Sequence, residues 1–112
     1  MKTLKLMFLG FFVLILFEMH SLYIIYSKKL NRYYTGETND IPERLRKHND
    51  HSYKYAFTTA AADWELKLIK EIETKEQAVY LEKFIKRMKS KVFIQKVIAQ
   101  PNILDELLKN FQ

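Results

Sequence analysis

The chain reads as an α+β domain: a small three-stranded antiparallel sheet flanked by helices in the order β-β-α-β-α-α, followed by one more amphipathic helix. Three observations predict this. Two short runs rich in β-branched and aromatic residues flank a polar turn, the pattern of a hairpin. A later stretch, Trp64 to Ile72, alternates in the period of a half-buried strand. Between and after these, capping residues stand ahead of stretches with helical apolar spacing.

Taken in order, Leu22 to Ser27 is the first strand, Lys28 to Arg32 the turn, and Tyr33 to Thr38 the second strand. Asn39 or Asp40 caps the next element. Pro42 sits in its first turn and Glu43 lies three residues after Asp40, close to a capping box, so a helix is expected to about Asn49. Residues 50–62 have no clear period and read as a loop with room for a short helical piece. In the third strand Trp64, Leu66, Leu68, Lys70 and Ile72 are expected to share one face. Thr74 to Gln77 is a second capping box, opening a helix with Ala78, Leu81, Phe84, Ile85 and Met88 as its apolar stripe. Ser90 caps a further helix to about Ala99. Pro101 starts the last one, with Ile103, Leu104, Leu107, Leu108 and Phe111 on one stripe, expected to cap the core rather than to dock a second subunit.

With 112 residues, no cysteine, 2 Gly and 2 Pro, the chain has no basis for a disulfide scaffold, a Cys-rich zinc site or a long flexible linker. At 48% hydrophobic it can bury a core, and its net charge of +6 favours a polyanionic partner, nucleic acid or an acidic membrane. Residues 1–18 stand apart. Lys2 and Lys5 precede an apolar run from Leu6 to Phe17, too short to span a bilayer comfortably and followed by no small-residue cleavage site. Three readings compete: a signal or membrane anchor through residues 4–17, a buried helix, or an upstream extension of the gene model with translation starting at Met19. The last is preferred. The leader carries Lys2, Lys5 and Glu18, a net +1, so +5 of the +6 belongs to the rest. The expected organisation is a leader over 1–18, a domain over 19–100 and a terminal helix over 101–112.

Arg44 and His48 are four apart and share a helix face with Ile41 and Leu45, which turns them toward the sheet. They could form an anion pocket, or be a boundary arginine and a helix C-terminal cation. Glu82 lies at the edge of its helix's apolar stripe, where a carboxylate calls for a metal ion or a salt bridge, with Lys86 one turn on. From Lys83 to Lys96 six basic residues (Lys83, Lys86, Arg87, Lys89, Lys91 and Lys96) occur without an acidic one, either a solvated face or a surface tracking phosphates. No P-loop, dinucleotide fingerprint, nucleophile elbow or zincin motif is present, and His20, His48 and His51 lack metal-ligand spacing.

Ser21-Leu22-Tyr23, then Tyr34-Thr35-Gly36-x-Thr38, then Arg44-Leu45-x-x-His48-Asn49, then Glu82, resemble the GIY-YIG nuclease superfamily, with an interval of eleven from Tyr23 to Tyr34 and of ten from Tyr34 to Arg44. Leu81 to Lys86 followed by Lys89-Ser90-Lys91 looks like its small stand-alone bacterial branch, related to the N-terminal nuclease module of the excision-repair endonuclease. The resemblance spans about residues 21–98. It departs at Ser21, where glycine is usual, at Thr35, where an aliphatic residue is usual, and at Glu37, a lysine in the repair branch. The late asparagine of several relatives has no counterpart.

The resemblance implies a metal-dependent endonuclease acting on DNA in the cytoplasm. Glu82 would hold Mg²⁺, or Mn²⁺ in its place. Tyr23 would orient or deprotonate the attacking water with Tyr34 hydrogen-bonding beside it, Arg44 would neutralise the phosphoryl oxygens, and His48 would support Arg44 or Tyr23 or shuttle a proton. Lys83, Lys86, Arg87, Lys89 and Lys91 would bind the nucleic acid. The chain has little room for a separate DNA-reading domain, so selectivity is expected for structure or damage, or from a targeting protein. The alternative is a nucleic-acid-binding module of the same fold that cuts slowly or not at all.

Overall fold

The computed structural model describes residues 20–50 and 60–111. Residues 1–18 and most of the expected 50–62 loop, with His51, lie outside the described residues. The strands are β1 (His20–Ser27), β2 (Arg32–Thr38) and β3 (Trp64–Ile72), in the antiparallel order β2-β1-β3. Among the described residues four helices accompany them: α1 (Ile41–Asn49), α2 (Lys75–Met88), α3 (Lys91–Ala99) and α4 (Asn102–Leu108). Both hairpin strands begin earlier than expected, β1 at His20 and β2 at Arg32. Asn31 closes the turn with φ 52, a left-handed conformation that asparagine tolerates, and its side chain accepts from the Tyr26 hydroxyl at 2.6 Å.

As the central strand, β1 is covered on both sides, and Leu22, Tyr23, Ile24 and Ile25 are each 2% exposed or less. Its alternation decides which residue serves which face. Leu22 and Ile24 join Leu68 and Ile72 against Ala78, Leu81 and Ile85 of α2, Val97 of α3 and Leu104 of α4. Tyr23 and Ile25 face the other way, packing with Ala61, Trp64, Tyr34 and the α1 residues Ile41 and Leu45.

The expectation that Trp64 through Ile72 share a face is corrected by a β-bulge. Ile24 pairs with Leu68 but Ile25 pairs with Leu66, so β3 advances two residues where β1 advances one. Leu68 and Ile72 therefore enter the α2 core, while Trp64 enters the α1 side and Leu66 is 38% exposed.

Local signals set the helix starts. Asp40 caps α1 by accepting from the Glu43 N–H at 3.2 Å, Thr74 caps α2 through Gln77 N–H at 3.1 Å, and Ser90 caps α3 through Phe93 N–H at 3.1 Å. The second capping box is only half made, because the Gln77 side-chain oxygen, Oε1, is buried with no hydrogen-bond partner among the described residues. Met88 does not complete the α2 stripe: it falls in the last turn, before Lys89 turns the chain toward α3 with φ 47, and is 46% exposed. Leu104 of α4 is fully buried in the main core, with Ile103, Leu107 and Leu108 packed around it. Phe111, beyond the helix, meets the Tyr80 ring at 5.3 Å.

Candidate active site

The face of the sheet under α1 gathers Tyr23, Tyr34 and His48. Tyr23 is paired across the hairpin with Gly36, and Ile25 with Tyr34, so both tyrosines rise from the same side. From above, α1 lowers His48, 2% exposed, until its Nε2 lies 2.7 Å from the Tyr23 hydroxyl. The imidazole also meets the Tyr34 ring at 5.1 Å between centroids, and the two tyrosine rings sit 6.4 Å apart. Tyr34 thus lies beside Tyr23 with its ring tilted toward it.

His48 is not the helix-terminal cation that its position would allow. Burial, and secondarily the positive charge of Arg44, push its pKa down to about 4, so the ring is neutral at physiological pH. A neutral imidazole can accept the tyrosine proton. Arg44 lies one turn before His48 on α1, and its positive charge contributes to that shift. Arg46, on the opposite side of α1, is held instead by Glu43 at 2.7 Å and by Asp50.

Gly36 does structural work that spacing alone did not reveal. A Cβ there would come within 2.5 Å of the Tyr23 hydroxyl oxygen, so only glycine leaves room for the phenol over β2. The sequence signal is a glycine inside a strand, which often marks a close approach.

Glu82 stands on α2, the helix that covers the opposite face of the sheet. Its carboxylate, 20% exposed, accepts from Lys86 Nζ at 2.6 Å, and the same ammonium sits 5.0 Å from the centre of the Tyr34 ring. Lys86 therefore links Glu82 to the tyrosine end of the site. Among the described residues no group of three or more His, Asp or Glu side chains could hold a metal ion. One partly exposed carboxylate does fit a hard divalent cation of the Mg²⁺ type, which takes one or two carboxylates and completes its shell with water and phosphate oxygens. Glu37, by contrast, lies 3.1 Å from His20 Nδ1.

All five cations expected to bind nucleic acid are exposed. Lys86, Lys89 and Lys91 line an open cleft of about 960 Å³ together with Arg32, a residue that sequence reasoning left in the hairpin turn. Lys83 and Arg87 line a smaller depression of about 460 Å³ beside Tyr80.

The described residues thus form a small α+β domain that gathers two tyrosines and a buried histidine on one sheet face. The family model described as the GIY-YIG catalytic domain matches residues 19–96, and the chain belongs to that family. No curated protein and no solved structure gave a significant match. Among the described residues no helix is long and apolar enough to cross a membrane.

Proposed function

We propose that this chain is a metal-dependent endonuclease that hydrolyses DNA phosphodiester bonds, with Tyr23, Tyr34, Arg44, His48 and Glu82 as its working residues. The observation that carries the reading is the 2.7 Å hydrogen bond between Tyr23 and a buried, neutral His48. As the water oxygen bonds to phosphorus, Tyr23 Oη takes the water proton and passes its own to His48 Nε2, and the bond to the leaving oxygen breaks. A free tyrosine has a pKa of about 10 and is too weakly acidic to act as a standing base. A concerted relay avoids a free phenolate. With a pKa of about 4, His48 gives the proton up again readily.

Arg44 offers fixed positive charge where the phosphoryl oxygens gain negative charge, the electrostatic contribution that usually dominates such reactions. Tyr34 packs on the His48 ring and holds its orientation. Glu82 would hold Mg²⁺ or Mn²⁺, which when bound polarises the phosphate and stabilises the leaving oxygen. Lys83, Lys86, Arg87, Lys89 and Lys91 hold flanking phosphates. A DNA substrate also implies work in the cytoplasm, with room for a targeting protein to choose the locus.

Nicking of supercoiled DNA by the full chain with Mg²⁺ or Mn²⁺ is the test. Glu82→Ala and Arg44→Ala should each lower the rate by roughly 10²–10³-fold while keeping the wild-type circular dichroism spectrum. Cutting that continues in EDTA, or variants as active as wild type, sinks the assignment. One observation favours a second reading, a binding module that does not cut: Lys86 already occupies the Glu82 carboxylate. In that case wild type binds DNA and no divalent cation brings cleavage.

A further inference from the structure

We propose that the cleft between the β1–β2 turn and the α2–α3 junction receives an unpaired strand, so that the preferred DNA carries a single-stranded flap next to the cut. The proposal rests on the nuclease reading for what lies beside the cleft, not for the cleft itself. Tyr34 is common to both: it lines the cleft, its ring packs on His48, and the cleft residue Lys86 holds its Nζ 5.0 Å from the centre of that ring, so a strand lying there is continuous with the site.

The lining selects the ligand chemistry. Arg32 enters from the hairpin and Lys86, Lys89 and Lys91 from the helices, with no acidic residue among them, so the occupant is an anion. Between these cations the lining includes the half-buried Ile94 and Tyr33, above the buried Ile85. A phosphate alone gains nothing from such a surface. An unpaired nucleotide does, because its base can lie on aromatic and aliphatic side chains while its phosphates meet the cations. A duplex keeps its bases stacked inside and can offer only its backbone and groove edges.

Two further observations point to a bound ligand. Thr35 lines the cleft at 3% exposure, and its hydroxyl is buried with no hydrogen-bond partner among the described residues. Buried polar atoms are nearly always satisfied, and a base edge or sugar oxygen would satisfy this one. Lys89 holds φ 47, a left-handed conformation in which glycine is the relaxed residue. A lysine kept there at a conformational cost supplies a cation to the cleft that glycine could not.

The experiment measures binding of the full chain by fluorescence anisotropy in EDTA. It compares a blunt DNA duplex with the same duplex carrying a single-stranded flap. The flapped probe should bind about tenfold tighter than the blunt one. Lys89→Gly and Arg32→Gln should each remove most of that difference. Lys89→Gly should melt at or above the wild-type temperature, so the loss cannot be laid to unfolding. Equal affinity of wild type for both probes overturns the proposal, as does a variant that weakens both by the same factor. The reading needs no turnover and so separates the two ideas. A flap preference in a chain that never nicks DNA leaves the cleft standing and removes the nuclease, whereas nicking without flap preference does the reverse.

Discussion

The two faces of the sheet share one strand and do opposite work. Toward α2, β1 presents Leu22 and Ile24 to Leu81, Ile85, Val97 and Leu104, all at most 1% exposed. Toward α1 it presents Tyr23 and Ile25 to a smaller cluster in which the buried His48 is hydrogen-bonded to Tyr23. One face stabilises by removing apolar area from water. On the other, polar groups are kept dry and paired, which contributes less to stability but shifts a pKa. A single residue step along β1 separates the two, so the sheet acts as a wall between a core and a site.

The largest effect should come from breaking the core face. Leu81→Ala should cost about 2–5 kcal/mol, read as a fall in the urea midpoint. The corresponding polar deletion across the wall, Tyr23→Phe, should cost only about 0.5–1.5 kcal/mol and yet abolish nicking. Comparable losses of stability would erase the distinction between the faces.

Acid should probe the site face alone. His48 has a folded pKa of about 4, below the 6.5 of an exposed imidazole, so protons favour the unfolded chain. The stability tied to the neutral ring is complete above pH 6.5 and is lost as pH falls toward 4, about 3 kcal/mol in all at about 1.4 per pH unit. Glu43, hydrogen-bonded by Arg46, and Asp63, hydrogen-bonded by Ser27, are both held below the usual carboxylate range and stay ionised through most of that window. Urea midpoints between pH 7 and 4 should fall in wild type and flatten in His48→Gln. Parallel curves would mean that His48 is not buried neutral.

The smallest effect sharpens the comparison at its edge. Thr35 sits on the core face, opposite Ile24, its hydroxyl without a partner among the described residues. Thr35→Val should raise stability by about 1 kcal/mol, because it removes a buried polar atom that lacks a bond. A drop in melting temperature would show that the hydroxyl has a partner in the folded chain.

Most of the fold was legible because its signals are local. The β3 limits followed from alternation, the helix starts from Asp40, Thr74 and Ser90 as caps, and the shared face of Arg44 and His48 from their spacing of four. Spacing between motifs also brought the family into view, since intervals along a fixed set of elements constrain where side chains meet.

What could not be read locally depends on which distant atoms come to lie together. The β3 bulge sends Trp64 and Leu68 to opposite sides, although their alternation is unbroken in sequence. Only the pairing of β1 with β2 shows that Gly36 seats the Tyr23 phenol, and only the packing of α2 at the β2 edge links Lys86 to both Glu82 and Tyr34. Arg32 likewise joins Lys89 in one cleft across about half of the chain. By itself the sequence determined elements, caps and the list of reactive side chains, because propensity, capping and periodicity act within a few residues. The tertiary structure decided the neutral state of His48, the seat of Tyr23 and the shape of the cleft, because desolvation, steric exclusion and charge proximity act through space.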